Sequence, residues 1–139
     1  MHIQPYLDFD GRCEEAIEFY REALGAKVGM LMRFKESPDP ESGGLSSPEF
    51  ENKIMHAAVQ IGDTIIFMTD SSNSGCPKFH GINLSLSVSS DAEATLRFEA
   101  LSQNGQVQMP LTNTFFSSSF GMVADRFDVI WMIMVVPQS

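Results

Sequence analysis

The chain has 139 residues, 43% of them hydrophobic and 19% charged, which is typical of one folded domain or two small fused halves. Its net charge of −9 repels phosphate backbones and anionic lipids, so nucleic acids and membranes are poor candidate partners. The two cysteines, Cys13 and Cys76, form no Cys-x-x-Cys pair, and no basic, apolar leader is present at the start, so we expect a cytoplasmic protein with free thiols.

The first part of the chain predicts a strand followed by an amphipathic helix. Residues 3–9 alternate between the two faces of a strand, and Pro5 favours an edge or strand-start position because proline cannot donate to a ladder. Apolar residues at helical spacing predict a helix over residues 13–24, with Gly25 as its C-cap. Cys13 lies at the helix N-terminus, where a thiolate would be stabilised, although a structural cysteine is the simpler interpretation.

A second strand, a long loop and a hairpin follow. Residues 28–34 predict the strand, and the proline- and glycine-rich residues 36–52 predict a loop that is either a flap over a site or a disordered insertion. Residues 53–61 and 64–70 predict a hairpin around Gly62-Asp63.

The hairpin predicts which residues share a face, because residues directly opposite each other on paired strands point the same way. A two-residue turn places Ile61 opposite Thr64, which sets the register of the whole hairpin. The apolar face, expected to pack on the helices, is Met55, Ala57, Val59, Ile61, Ile66 and Met68. The mixed face, expected to line a pocket, is His56, Ala58, Gln60, Phe67 and Thr69.

The second part of the chain repeats this order after a polar link, residues 71–78. Residues 82–88 predict a strand, and Ser90 with Glu93 has the spacing of a capping box for a helix that runs to about Gln103. Three more strands are predicted at residues 107–111, 121–124 and 129–136. We therefore predict an α+β fold of two βαβββ modules, residues 1–72 (with loop 36–52) and 79–139, which together form one domain.

Two strands of the second module indicate where a cavity could lie. The side chains of Asn83, Ser85 and Ser87 share one face of their strand, which faces either bulk water or a polar cavity. The last strand is apolar on both faces, which favours burial on both sides. The serines at 71–74 and 117–119 have no nucleophile pattern around them and are interpreted as flexible loops.

At this point several segments resemble a known family. The first segments are residues 11–20 (GRCEEAIEFY) and 24–26 (LGA). The more specific ones are residues 55–57 (MHA), 61–63 (IGD), 68–70 (MTD), 114–116 (TFF), 120–121 (FG) and 125–127 (DRF), with Val129 and Trp131. In this order they resemble the PhnB-like (3-demethylubiquinone methyltransferase-like) branch of the glyoxalase/vicinal-oxygen-chelate superfamily, over nearly the whole chain.

The resemblance implies a glyoxalase/bleomycin-resistance/dioxygenase-like fold, in which paired βαβββ modules curl into a mixed-sheet cup that holds a small molecule. It also implies a homodimer. The methyltransferase label has no support in the residues, because no glycine-rich loop follows an early strand to hold a methyl donor.

Metal-dependent relatives place His, Glu or Gln ligands at four positions, which correspond here to Pro5, Phe67, Asn83 and Met132. Proline and phenylalanine cannot ligate, methionine is a soft thioether donor, and asparagine is a weak neutral one. We therefore expect the usual divalent site to be absent, and we predict no cofactor. A displaced site at His56 and His80 remains open, with a hydrogen-bonded histidine and a loop histidine as the plainer interpretations.

The sequence leaves three functions open. The first is a small-molecule-binding protein without the usual metal, whose ligand wall is His56, Phe67, Thr69, Asn83, Ser85 and Met132, with Phe116 or Phe120 as a loop cover. The second is a metal-dependent lyase, isomerase or dioxygenase with displaced ligands, in which a Lewis acid polarises vicinal oxygens. The third is a structural or regulatory dimer without a ligand.

Overall fold

The computed structural model of the chain describes residues 1–37, 51–70 and 79–136. Two compact units divide the chain, Met1–Pro77 and Lys78–Ser139. Most of the predicted loop at 36–52 and the link at 71–78 lie outside the described residues.

The first unit contains one helix and a four-stranded mixed sheet. Its elements are β1 (Tyr6–Asp8), α1 (Cys13–Leu24), β2 (Lys27–Arg33), β3 (Ile54–Ile61) and β4 (Thr64–Thr69). The strand order is β1-β4-β3-β2, with β1 parallel to β4 and the other pairs antiparallel. Strand β1 is therefore an edge strand. Pro5 lies just before β1, at a position where the sheet needs no N–H donor, so proline is tolerated there.

The second unit repeats this topology. Its elements are β5 (Asn83–Val88), α2 (Asp91–Ser102), β6 (Gln106–Thr112), β7 (Phe120–Ala124) and β8 (Ile130–Val135). The strand order is β5-β8-β7-β6, again with one parallel pair, β5 with β8. The prediction of an α+β fold built from two βαβββ modules is confirmed.

The predicted hairpin register is confirmed from the turn inwards. Ile61 pairs with Thr64, and the ladder continues to Ala57 with Met68. Five members of the predicted apolar face are buried, and Met55 is half-buried. Helix α1 packs on β3 and buries its apolar side, from Cys13 to Leu24, against this face. Gly25 ends the helix in the left-handed conformation, with φ 68°.

Helix α2 covers one face of the second sheet. The Ser90 side chain accepts the Glu93 backbone N–H at 3.1 Å and begins the helix, as the spacing predicted. Buried Ala94, Phe98 and Leu101 form its apolar side. Gly121 allows this approach, because a Cβ there would lie 2.8 Å from the Phe98 ring.

One buried carboxylate joins distant parts of the first unit. Asp70, 1% exposed, accepts three backbone N–H groups: Gly11 at 2.7 Å, Cys13 at 2.9 Å and Ile54 at 3.0 Å. The first two lie at the turn into α1, and the third begins β3. Burial raises the pKa of Asp70, while the three N–H groups and Lys53 oppose the rise because they stabilise the charged form.

A second buried carboxylate, Asp125, organises the turn between β7 and β8. Its Oδ1 accepts the N–H groups of Phe127 at 2.9 Å and Val129 at 3.1 Å. Its Oδ2 accepts the indole N–H of Trp131 at 2.9 Å. The turn and the buried tryptophan are therefore fixed by one side chain.

No helix within the described residues is long and apolar enough to span a membrane.

Substitution of Asp70 tests this arrangement. Asp70→Asn should lower the free energy of unfolding by about 1–3 kcal/mol, because an amide places a donor where a carboxylate oxygen accepts a buried N–H. Urea denaturation followed by circular dichroism measures the change. Asp63→Asn, in the exposed turn between β3 and β4, is the matched control and should leave the midpoint unchanged. Equal midpoints for the two variants would contradict this account of Asp70.

Candidate functional site

The face of the first sheet opposite α1 carries a cluster of rings. His56 in β3 lies 5.1 Å from the Phe67 ring in β4, and Tyr6 in β1 lies 5.8 Å from His56 and 6.2 Å from Phe67, between ring centroids. His56 and Phe67 are half-buried and Tyr6 is 54% exposed, so this face is open within its own unit. Two predicted wall residues, His56 and Phe67, are thus brought together by the sheet.

Thr69 differs from these neighbours. Its side chain is 0% exposed, and its hydroxyl donates to the Met55 carbonyl at 2.7 Å. This hydrogen bond links the end of β4 to the start of β3. The Thr69 hydroxyl, which the sequence predicts as part of the ligand wall, is therefore already bonded within the protein.

The corresponding face of the second sheet combines a polar strand with an apolar one. Asn83, Ser85 and Ser87 of β5 are exposed. Their partners on β8, in the same order, are Ile130, Met132 and Met134, all half-buried. The amide of Asn83 lies 3.9 Å from the Met132 sulfur. This face offers neutral hydrogen-bonding groups beside an apolar strip, a combination suited to an uncharged organic molecule.

The four positions at which the resemblance places metal ligands do not form a hard-donor set. Pro5 and Phe67 have no side-chain donor, and the Pro5 carbonyl already accepts the Phe67 N–H at 2.9 Å. Asn83 and Met132 supply a neutral amide and a thioether, neither of which suits a divalent ion such as nickel or manganese. The residues at these four positions therefore do not fit a divalent metal ion.

His56 and His80 were the alternative ligands, and each lies in a different unit. His56 is half-buried among the rings described above, and His80 is exposed just before β5. Among residues 1–37, 51–70 and 79–136, no three His, Cys, Asp or Glu side chains group closely enough to hold a metal ion.

Of the two predicted cover residues, Phe116 lies in the loop between β6 and β7, whereas Phe120 begins β7 and is only 8% exposed. Phe116 and Phe120 contact edge to face at 5.1 Å, and Phe116 contacts the fully exposed Phe115 in the same way, also at 5.1 Å. An open pocket of about 440 Å³ lies at this loop. It is lined by Asn113, Thr114, Phe115, Phe116, Ser117, Ser118 and Val135.

The serines of this loop are bound into the fold, a feature that the sequence reasoning missed. The hydroxyl of Ser117 is buried within hydrogen-bonding distance of two carbonyls, those of Val135 at 2.9 Å and Ser119 at 2.8 Å, and its single proton can be donated to either. Ser118 and Ser119 both donate to Asp91 at the first turn of α2, which lowers the pKa of Asp91. These partners are distant in sequence, so no local pattern predicted the bonds, and the interpretation of residues 117–119 as a flexible loop was incomplete.

Cys13 is a structural thiol. It is 0% exposed, and burial, followed by the nearby Asp70 and Asp8 carboxylates, raises its pKa. Its position at the helix N-terminus therefore does not produce a thiolate, because desolvation and two negative charges outweigh the helix dipole.

Comparisons with known proteins cover almost the whole chain. The family model described as Glyoxalase/Bleomycin resistance protein/Dioxygenase superfamily matches residues 2–133. Protein YjdN of Escherichia coli (strain K12) is 36% identical over 144 residues, which cover 100% of this chain and 98% of that protein.

Solved structures also match the chain over almost its whole length. Protein PA1353 from Pseudomonas aeruginosa is 38% identical, with a TM-score of 0.83 and 99% of each chain covered. The PhnB protein from Bacillus cereus is 24% identical, with a TM-score of 0.79, 98% of this chain and 100% of that chain covered. The second of these shows similarity of fold alone.

The chemistry of Cys13 gives a direct test. In a Cys76→Ser background, Cys13 should resist alkylation by iodoacetamide at neutral pH and react fully once guanidinium unfolds the chain, because the buried thiol stays protonated. Mass spectrometry of the intact protein counts the added groups. Labelling of the native protein at the rate of a free cysteine peptide would contradict the burial described here.

Proposed function

Because the chain belongs to the Glyoxalase/Bleomycin resistance protein/Dioxygenase superfamily, we propose that it binds a small, uncharged organic molecule without the superfamily's usual divalent metal. The resemblance found in the sequence is thereby confirmed at the level of the family. The observation that supports the proposal best is the open face of the second sheet, where an exposed polar strand lies beside a half-buried apolar one.

The polar half of the proposed wall is Asn83, Ser85 and Ser87. Their side chains offer both donors and acceptors without charge, and they repeat at every second position of β5. A ligand with hydroxyl or carbonyl groups can therefore bond to them at a spacing of about 7 Å, two residues along a strand. A strongly anionic ligand is disfavoured, because no basic side chain lies on the described strands of this face.

The apolar half comes from β8 and β7. Met132 faces Ser85 on one side and Met122 on the other, so an apolar part of the ligand would lie against flexible thioether side chains. Such side chains adapt to several shapes at little cost. In the first unit, His56 and Phe67 provide an apolar ring surface, and Phe116, 37% exposed, provides one at the β6–β7 loop.

The donor chemistry at Pro5, Phe67, Asn83 and Met132 supports the non-metal part of the proposal. Two of these residues cannot ligate, and the other two are soft or neutral donors. The metal-dependent lyase, isomerase or dioxygenase is the rival function. It requires ligands at other positions, such as His56 or His80.

Metal content separates the two functions. We expect the purified, untagged protein to contain no stoichiometric divalent metal by plasma mass spectrometry and to keep its melting temperature when EDTA is added. About one divalent metal per chain, removed by EDTA together with thermal stability, would overturn the proposal in favour of the metal-dependent enzyme. Light scattering on the same sample tests the expected homodimer.

A ligand screen tests the binding wall itself. Uncharged organic molecules should include some that raise the melting temperature, since a ligand at one hundred times its Kd stabilises the fold by about 2.7 kcal/mol. Ser85→Trp places a bulky ring on the open face of β5 and should abolish the shift. Ser89→Trp, at an exposed position just after β5, is the matched control and should retain it. Equal ligand-induced shifts of the melting temperature in both variants would show that Ser85 is not part of the binding site.

A further inference from the structure

Four methionines form a patch on the open face of the second sheet, here called the thioether patch: Met109, Met122, Met132 and Met134. Met122 is its centre. It pairs with Met132 of β8 in a regular register, so these two side chains point the same way, and it also pairs with Met109 of β6, which lies between two bulges of that strand. Met134 lies two residues beyond Met132 on the same face of β8 and is diagonal to Met122.

The spacing of the patch suits a shared ion. Side chains directly opposite each other on antiparallel strands have Cβ atoms about 4.5–5.5 Å apart, and diagonal neighbours lie roughly 7–8 Å apart. Sulfur ligands held about 2.3 Å from one metal lie roughly 4 Å from each other. Flexible methionine side chains on Met122, Met132 and Met134 can close this difference by leaning towards a common point above the sheet.

These methionines differ from those that fill the core. Met68 is 0% exposed and packs under α1, whereas Met109 is 40% exposed and the other three members are half-buried. The Met132 sulfur already lies 3.9 Å from the Asn83 amide, on the open side of the sheet. The patch is therefore partly exposed on the side of the sheet that α2 leaves open.

The chemistry of the patch selects one class of ion. Thioethers are soft ligands that favour Cu(I) over hard ions such as magnesium, calcium or manganese. The described strand residues that pair across this face carry no charge, so a hard ion would find no carboxylate there. The net charge of −9 favours any cation that approaches the chain.

We infer that the thioether patch binds a soft monovalent cation, Cu(I), through the sulfurs of Met122, Met132 and at least one of Met109 and Met134. The site differs from a divalent site of His and carboxylate ligands in its donor atoms and in the ions that it accepts. The inference does not depend on an organic ligand being bound to the same face.

Silver(I) is the probe, since it shares the soft, monovalent character of Cu(I) and is stable in air. In a Cys76→Ser background, titration against a competing chelator should give about one silver ion per chain. The triple variant Met122→Leu, Met132→Leu and Met134→Leu should lose this binding, because leucine keeps the apolar volume and removes the sulfur. Met30→Leu, at an exposed methionine of the first unit, is the matched control and should bind as the parent does.

The methyl resonances of isotope-labelled methionines identify the ligands directly. Silver should shift the signals of the thioether patch and leave those of Met30 and Met68 in place. Unchanged binding in the triple variant, or shifts confined to methionines outside the patch, would overturn the inference.

Discussion

A single carboxylate, Asp70, is the constraint on which the first unit depends. Its two oxygens accept N–H groups from the turn before α1 and from the start of β3, up to 59 residues away in the chain. A buried carboxylate is stable only when such donors surround it, so the turn, the helix start and the two strand ends must adopt their positions together. Asp70 also closes the β3–β4 hairpin at the end opposite its turn, because its carboxylate accepts the Ile54 N–H and its own N–H donates to the Ile54 carbonyl.

Local sequence patterns were sufficient to predict most of the fold. The apolar spacing of residues 13–24 and the αL glycine after them predicted α1 to the residue, because both signals are contained in one short segment. The Gly62-Asp63 turn likewise fixed the hairpin register. The bulges of β2 and β6 could not be predicted, because they depend on how each edge strand follows its twisted neighbour.

The candidate site was predictable to the extent that it follows strand alternation. Asn83, Ser85 and Ser87 share an exposed face, as parity required, and His56 lies beside Phe67. Thr69 has the same parity, but its hydroxyl is turned to the Met55 carbonyl, a bond that alternation does not reveal. The roles of Ser117 and Asp70 were hidden for the same physical reason: a buried polar group is explained by partners that only the folded chain brings near it.

The distribution of aromatic residues between the units has an optical consequence. The chain contains one tryptophan and two tyrosines. Trp131 is 2% exposed and bonded to Asp125 in the second unit, whereas Tyr6 and Tyr20 both belong to the first. Indole emission therefore reports on one module and the near-ultraviolet tyrosine bands report on the other, so the wild-type chain carries a separate spectroscopic label for each half of its duplicated fold.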